Sequence, residues 1–119
     1  MSYDIRLEDP DTGEVAKATT TLPFHGGVYP VGGTDNLEFN ITYNYAEILY
    51  THLDEDLGIR WLYGKTGAEA MPRILEVISN LKSDKSDDYW EATEGNVRQA
   101  LSAVLWMSIE APNAIWRGD

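Results

Sequence analysis

The chain has 119 residues, 43% of them apolar, with four tryptophans and no cysteine. That is enough for one globular domain to bury a core unaided, and it excludes a disulfide framework, a thiol nucleophile and a cysteine-ligated zinc. Twenty acidic against nine basic residues leave a net charge of −11, which repels nucleic-acid backbones and anionic membranes and draws the chain toward basic surfaces.

The excess is uneven: residues 1–60 hold eleven acids and three bases, residues 61–119 nine and six. No run approaches the roughly 18 apolar residues of a membrane span. The opening Met1-Ser2-Tyr3-Asp4 lacks the basic and apolar regions of a signal peptide. A cytoplasmic protein is the expectation.

In chain order, Tyr3, Ile5 and Leu7 alternate with Asp4, Arg6 and Glu8, the period of a half-buried strand. Asp9-Pro10-Asp11-Thr12-Gly13 is turn chemistry, and a strand through Glu14–Thr21 would close a hairpin. Leu22–Asn36 is rich in glycine and proline and reads as loop, with a short strand at Val28–Val31. Leu37, Phe39 and Ile41 alternate again and predict another strand.

The period then becomes helical. Tyr45, Ile48, Leu49, His52 and Leu53 share one face, with Asn44 as N-cap and Gly58 beyond the end. Ile59–Tyr63 fits helix and strand equally. Met71, Ile74, Leu75 and Ile78 line a second helix, with Pro72 assigned to its first turn and Thr66 or Gly67 just ahead. A third helix runs from about Thr93 to Glu110, with Val97, Leu101, Val104, Leu105 and Ser108 in register, and Pro112 stops it. No linker divides the chain, so residues 1–119 read as one α+β domain. A small antiparallel sheet from the N-terminal half packs against about three helices from the C-terminal half.

Catalytic and metal motifs do not survive inspection. Gly64-Lys65-Thr66 lacks the earlier glycine of a phosphate loop, since Ile59 stands there. Asp9, Asp11 and Gly13 depart from a calcium loop at the fifth, sixth and twelfth positions. His25 and His52 are too few for a metal site and stand beside no nucleophile signature. No catalytic residue, metal or cofactor is predicted.

Binding features remain. Asp54-Glu55-Asp56 and the trio Asp84, Asp87 and Asp88 are two acidic clusters, and Trp90 beside the second is a candidate anchor. They make one partner-binding set, able to imitate the phosphate spacing of nucleic acid. A second set, for a small ligand, comprises His25, Gly32, Gly33, Tyr43 and Asn44, with Arg60 and Lys65, joined by Arg73, to offset the acidity. Trp61 and Tyr63 fit core and surface equally.

Several segments carry a resemblance: Met1–Ile5 with Asp9–Glu14, Gly32-Gly33-Thr34 followed by Asn40–Tyr45, Gly58–Gly67, and Asp87–Asn96. Across nearly the whole chain they are similar to small uncharacterised proteins of bacteriophages and prophages. That resemblance implies a host-defence inhibitor, anti-CRISPR-like, acting in the host cytoplasm. Such an inhibitor would occupy a basic groove on a nuclease or defence complex and bind no nucleic acid or membrane itself. A small-molecule or nucleotide-sequestering protein and a structural or accessory phage protein are the alternatives; a homodimer is allowed, and a stable homo-oligomer with no foreign partner would support the structural role.

Overall fold

The computed structural model describes residues 2–18, 28–30, 36–84, 86–88 and 90–119. The fold is α+β. Its sheet has four strands, β1 (Ser2–Glu8), β2 (Val28–Pro30), β3 (Glu38–Thr42) and β4 (Ile115–Gly118), in the order β2-β3-β1-β4 with every pairing antiparallel. The helices are α1 (Ala46–His52), α2 (Gly67–Asn80) and α3 (Glu94–Glu110), and two 3-10 turns, Tyr43–Tyr45 and Gly58–Leu62, flank α1.

β1 is central because its alternation gives one dry face: Tyr3, Ile5 and Leu7 are buried while Asp4 faces solvent. The turn after it forms as predicted. Asp9 Oδ1 accepts from the backbone N–H of Asp11 at 2.8 Å, and Gly13 takes φ 73°, a conformation other residues rarely adopt.

The predicted strand at Glu14–Thr21 does not form over the residues described. Val15 and Lys17 make only isolated bridges, to Glu8 and Asn36. The reason is competition for an edge: β3 pairs with Ser2–Arg6, which leaves only the tip of β1 for Ala16, whose N–H donates to the Leu7 carbonyl. Residues 19–21 lie outside the described residues. The free edge of β1 goes instead to β4, with Leu7 opposite Trp116. The sheet therefore draws on both ends of the chain, not on the N-terminal half alone.

Tyr45, Leu49 and Leu53 of the predicted first stripe are buried, with Ile48 and His52 half-buried. Asn44 is not the N-cap. Thr42 caps the turn, its Oγ1 accepting from the Asn44 N–H at 3.2 Å. The ambiguous stretch at Ile59 is 3-10 helix, burying Ile59 and Leu62 and leaving Trp61 and Tyr63 half-buried against the core.

α2 starts at a capping box in which Thr66 and Glu69 satisfy each other's backbone N–H groups. With Thr66 as cap, Pro72 lies inside the helix and not in its first turn. The buried line is Ala70, Ile74, Val77 and Ile78, while Leu75 is 54% exposed. Gly67 sets this rotation. A Cβ there would lie 2.8 Å from the Ser108 carbonyl and 2.9 Å from that of Ala111, so only glycine lets α2 approach α3 so closely. α3 matches its predicted span, with Thr93 Oγ1 capping the Asn96 N–H at 3.0 Å. Among the described residues no helix is long and apolar enough to cross a membrane.

The core closes on Trp116, fully buried, whose Nε1 donates to Ser108 Oγ at 3.1 Å. Ser108 in turn donates to the Val104 carbonyl at 2.8 Å. Ser108→Ala is expected to lower stability by about 1–3 kcal/mol, because the indole N–H loses that partner in a dry site. Ser102→Ala removes a like bond at an exposed position of the same helix and should stay within about 0.5 kcal/mol. Urea titrations of both variants check the contrast.

Candidate functional site

The junction of β3 with α1 places a run of aromatic side chains at one rim of the molecule. Tyr3, on the first turn of the pleat in β1, lies opposite Ile41. Tyr43 leaves the end of β3 and meets the Tyr3 ring edge-on, centroids 4.5 Å apart, in the arrangement aromatic quadrupoles favour. The Arg60 guanidinium sits 5.7 Å from the Tyr3 centroid. Beyond it, the Tyr63 hydroxyl donates to the Asp119 carbonyl at 3.2 Å, and its ring packs on Gly118 so closely that no Cβ would fit.

In the other direction Asn44 Nδ2 donates to the Trp90 carbonyl at 2.9 Å. The ridge therefore continues through Asn44 to Trp90, which is 49% exposed. Asn96 organises the Trp90 loop. Its buried amide donates to the carbonyls of Asp88 and Glu91 at 3.2 and 2.8 Å, and its Oδ1 accepts from the Ser86 N–H at 3.0 Å. Asp88 Oδ1 accepts from the Trp90 N–H at 3.1 Å. Asp87, Asp88 and Glu91 are all exposed and lie within three positions of Trp90 in the chain.

This ridge unites residues that the sequence assigns to two different sets. Tyr43, Asn44 and Arg60 come from the ligand set, and Trp90, Asp87 and Asp88 from the partner set. The other candidates sit elsewhere. Asp54 Oδ1 accepts from the N–H groups of Asp56 and Leu57 at 3.0 and 2.8 Å and so closes α1. Asp54, Glu55 and Asp56 are separated from Asn44 by the length of α1, about 10 Å for seven residues. Asp84 Oδ1 accepts from the Gly95 N–H at 3.3 Å at the start of α3.

The three cations of the ligand set do not converge. Lys65 Nζ donates to the Trp61 carbonyl at 2.8 Å and lies 4.3 Å from that residue's ring centroid. Arg73 donates to the carbonyls of His52 and Leu53 at 3.0 and 2.9 Å and pairs with Glu76. Thr66 is held in its capping box, and the backbone of Gly64 and Lys65 pairs with Trp116, so Gly64-Lys65-Thr66 forms no phosphate cradle. His52 lies 3.9 Å from Glu94. His25, Gly32 and Gly33 lie outside the described residues. Among those described, no group of three or more His, Asp or Glu side chains is arranged to hold a metal ion.

Sequence reasoning passed over three members of the site. Tyr3 carried the strand period and read as core, Tyr63 fitted core and surface equally, and Asn96 read as one more helix residue. Asn96 left no local signal, because one position from Val97 turns it about 100° away from that stripe. No family model, curated protein or solved structure matches this chain.

Burial raises the Tyr63 hydroxyl from 10.0 to about 12, with Asp119 adding to the shift and Arg60 opposing it. Burial also raises Tyr45 to about 12, reinforced by Asp88 and opposed by the hydrogen bond to Asn96. These two, with Tyr3, which burial also raises, are expected to keep their protons above pH 10 in an ultraviolet phenolate titration and to fall back to about 10 in denaturant. Between pH 10 and 12 the unfolded chain then binds fewer protons than the folded one, so stability falls as pH rises through that window. Tyr63→Phe should flatten the fall, as denaturation at stepped pH will show.

Proposed function

We propose that this protein is a non-catalytic binding protein that docks onto a basic surface of another protein through the Tyr43–Trp90 ridge. The observation that carries this reading is the coincidence of exposed aromatics, Tyr43 and Trp90, with three exposed carboxylates on a loop braced by Asn96. Tyr, Trp and Arg are the residues that dominate binding energy at protein interfaces. A braced loop loses little further freedom on binding. The net charge of −11 supplies attraction toward a basic partner at long range.

The partner class that fits best is a protein with a basic nucleic-acid groove, such as a nuclease or a defence complex. Together with the resemblance to phage and prophage proteins, this makes host-defence inhibition by occupying that groove, in the host cytoplasm, the function proposed. The small-ligand alternative is weakened by the separation of Arg60, Lys65 and Arg73, which leaves an anionic ligand without a common grip.

The test is capture from a bacterial host lysate followed by native mass spectrometry. A gain of protein size is expected, weakened by high salt as charge attraction is screened. With the captured partner in hand, Tyr43→Ala and Trp90→Ala should each weaken affinity about tenfold or more without moving the thermal midpoint by more than a few degrees. A complex that ignores both substitutions, or a mass gain of only a few hundred daltons, would overturn the reading.

A further inference from the structure

We infer that the outward face of α3 pairs with the same face of a second copy of this chain, antiparallel about a twofold axis at Ser102. Arg98, Ser102, Trp106 and Ile109 follow one another at helical spacing and so line one side of α3. Trp106 is 48% exposed and Ile109 60%, which makes one end of that side apolar. At its other end is a cleft of about 300 Å³ lined by Ser83, Gly95, Arg98, Gln99 and Ser102. Among the described residues the Arg98 guanidinium in that cleft has no hydrogen bond or ion pair.

The cleft and the apolar end are complementary and symmetrically placed. In an antiparallel pair about Ser102, Trp106 falls opposite the partner's Arg98, Leu105 opposite the partner's Gln99, and Ile109 opposite the partner's Gly95. Each indole then enters the other copy's cleft and meets a cation that has no competing anion, a contact that gains strength as water leaves. Gly95 has no side chain to obstruct Ile109. Every contact occurs twice, as an isologous interface requires. Ser102 suits the crossing point because it is small and its hydroxyl already donates to the Arg98 carbonyl at 2.8 Å, so covering it strands no polar group. Charge favours this face over others. Residues 95–109 hold no Asp or Glu in a chain that has twenty, whereas over most of its surface a chain of net charge −11 repels its copy. Of the two acids that bracket the face, Glu94 accepts from the Lys82 N–H at 3.0 Å and Glu110 is half-buried. The docking ridge stays free, since Asn96, which braces it, is about 120° round the helix from Ser102.

Sedimentation equilibrium of the full chain tests the pairing, at low salt and at roughly 0.5 M salt. A face one helix wide is at the small end of specific interfaces, so half of the chain is expected to be dimeric at roughly 100 µM. Salt should strengthen this association by screening the like charge of the two copies, the opposite of its effect on docking to a basic partner. Trp106→Ala and Arg98→Ala should each weaken the dimer about tenfold or more, and Ser102→Glu, which sets two carboxylates together at the axis, should abolish it. A mixture of Trp106→Ala with Arg98→Ala should associate more tightly than either variant alone, because only the mixed pair keeps an intact indole–guanidinium contact. Trp90→Ala should leave the dimer unchanged. A chain that stays monomeric at roughly 1 mM in both salts, or a dimer that ignores both Ser102→Glu and Trp106→Ala, would overturn the inference and leave the docking ridge in place. So would a protein partner from the lysate whose binding is lost in Trp106→Ala, since the face would then belong to that partner.

Discussion

The indole of Trp116 is wholly buried, and a buried indole N–H left unpaired costs about 1–3 kcal/mol. Meeting that demand fixes much of the molecule. Ser108 must face inward, which sets the rotation of α3. β4 must lie along the tip of β1, with Trp116 opposite Leu7. The backbone of the same residue donates to the Lys65 carbonyl and accepts from the Gly64 N–H, each at 2.8 Å. One residue thus ties the sheet edge, the start of α2 and the middle of α3 into a single packing unit. Truncating it to alanine would remove a side chain of the class whose loss costs about 3–5 kcal/mol, a large share of what a domain this size holds in reserve.

The ridge inherits its rigidity from that unit. β3 pairs with the first residues of β1, placing Tyr3 opposite Ile41, and β4 pairs with the last, so Tyr3 is held at the rim of the core. Tyr43 and Arg60 then have a fixed ring to pack on. At the far end the buried amide of Asn96 belongs to the first turn of α3, so the Trp90 loop takes its position from the helix that Trp116 orients. The aromatic surface is built on regular elements at both ends, which is the arrangement that keeps recognition geometry tight.

How far this could be read from the sequence depended on how local the cause was. The pleat of β1, the turn at Gly13 and the span of α3 follow from neighbouring residues, and they stand where periodicity and turn chemistry put them. β4 did not announce itself. It has four residues ending in Arg117 and Gly118, shows one cycle of alternation, and exists because β1 has an edge to fill. The strand expected at Glu14–Thr21 failed for the complementary reason, since β3 had already taken the edge it needed. Leu75 turned outward because Gly67 lets α2 seat against α3 in a rotation that hydropathy alone does not encode. The site was legible as residue types and illegible as a grouping. Tyr43 and Trp90 lie 47 positions apart in the chain, and tertiary bonds such as that from Asn44 to the Trp90 carbonyl bring their segments together.

The charge, too, is set by what each carboxylate does in the fold. Taken as a total, −11 invites the picture of a protein coated in phosphate-like groups, yet many of these carboxylates hold the fold. Asp9 and Asp54 close turns. Glu69 completes a capping box, its backbone and side-chain bonds to Thr66 holding its carboxyl below the usual value. Asp84 meets the start of α3, Glu94 accepts from the Lys82 N–H, and Asp119 accepts from the Asp4 N–H. A carboxylate fixed on a backbone N–H is a poor mimic of a phosphate at regular spacing, because its position answers to the turn it closes. Near Trp90 the situation differs: three exposed carboxylates lie within three positions of one exposed indole, and Asn96 bonds the backbone of Ser86, Asp88 and Glu91 beneath them. Recognition there rests first on the aromatic surface and its local acids, with the remaining negative charge acting at a distance on the rate of encounter more than on the fit.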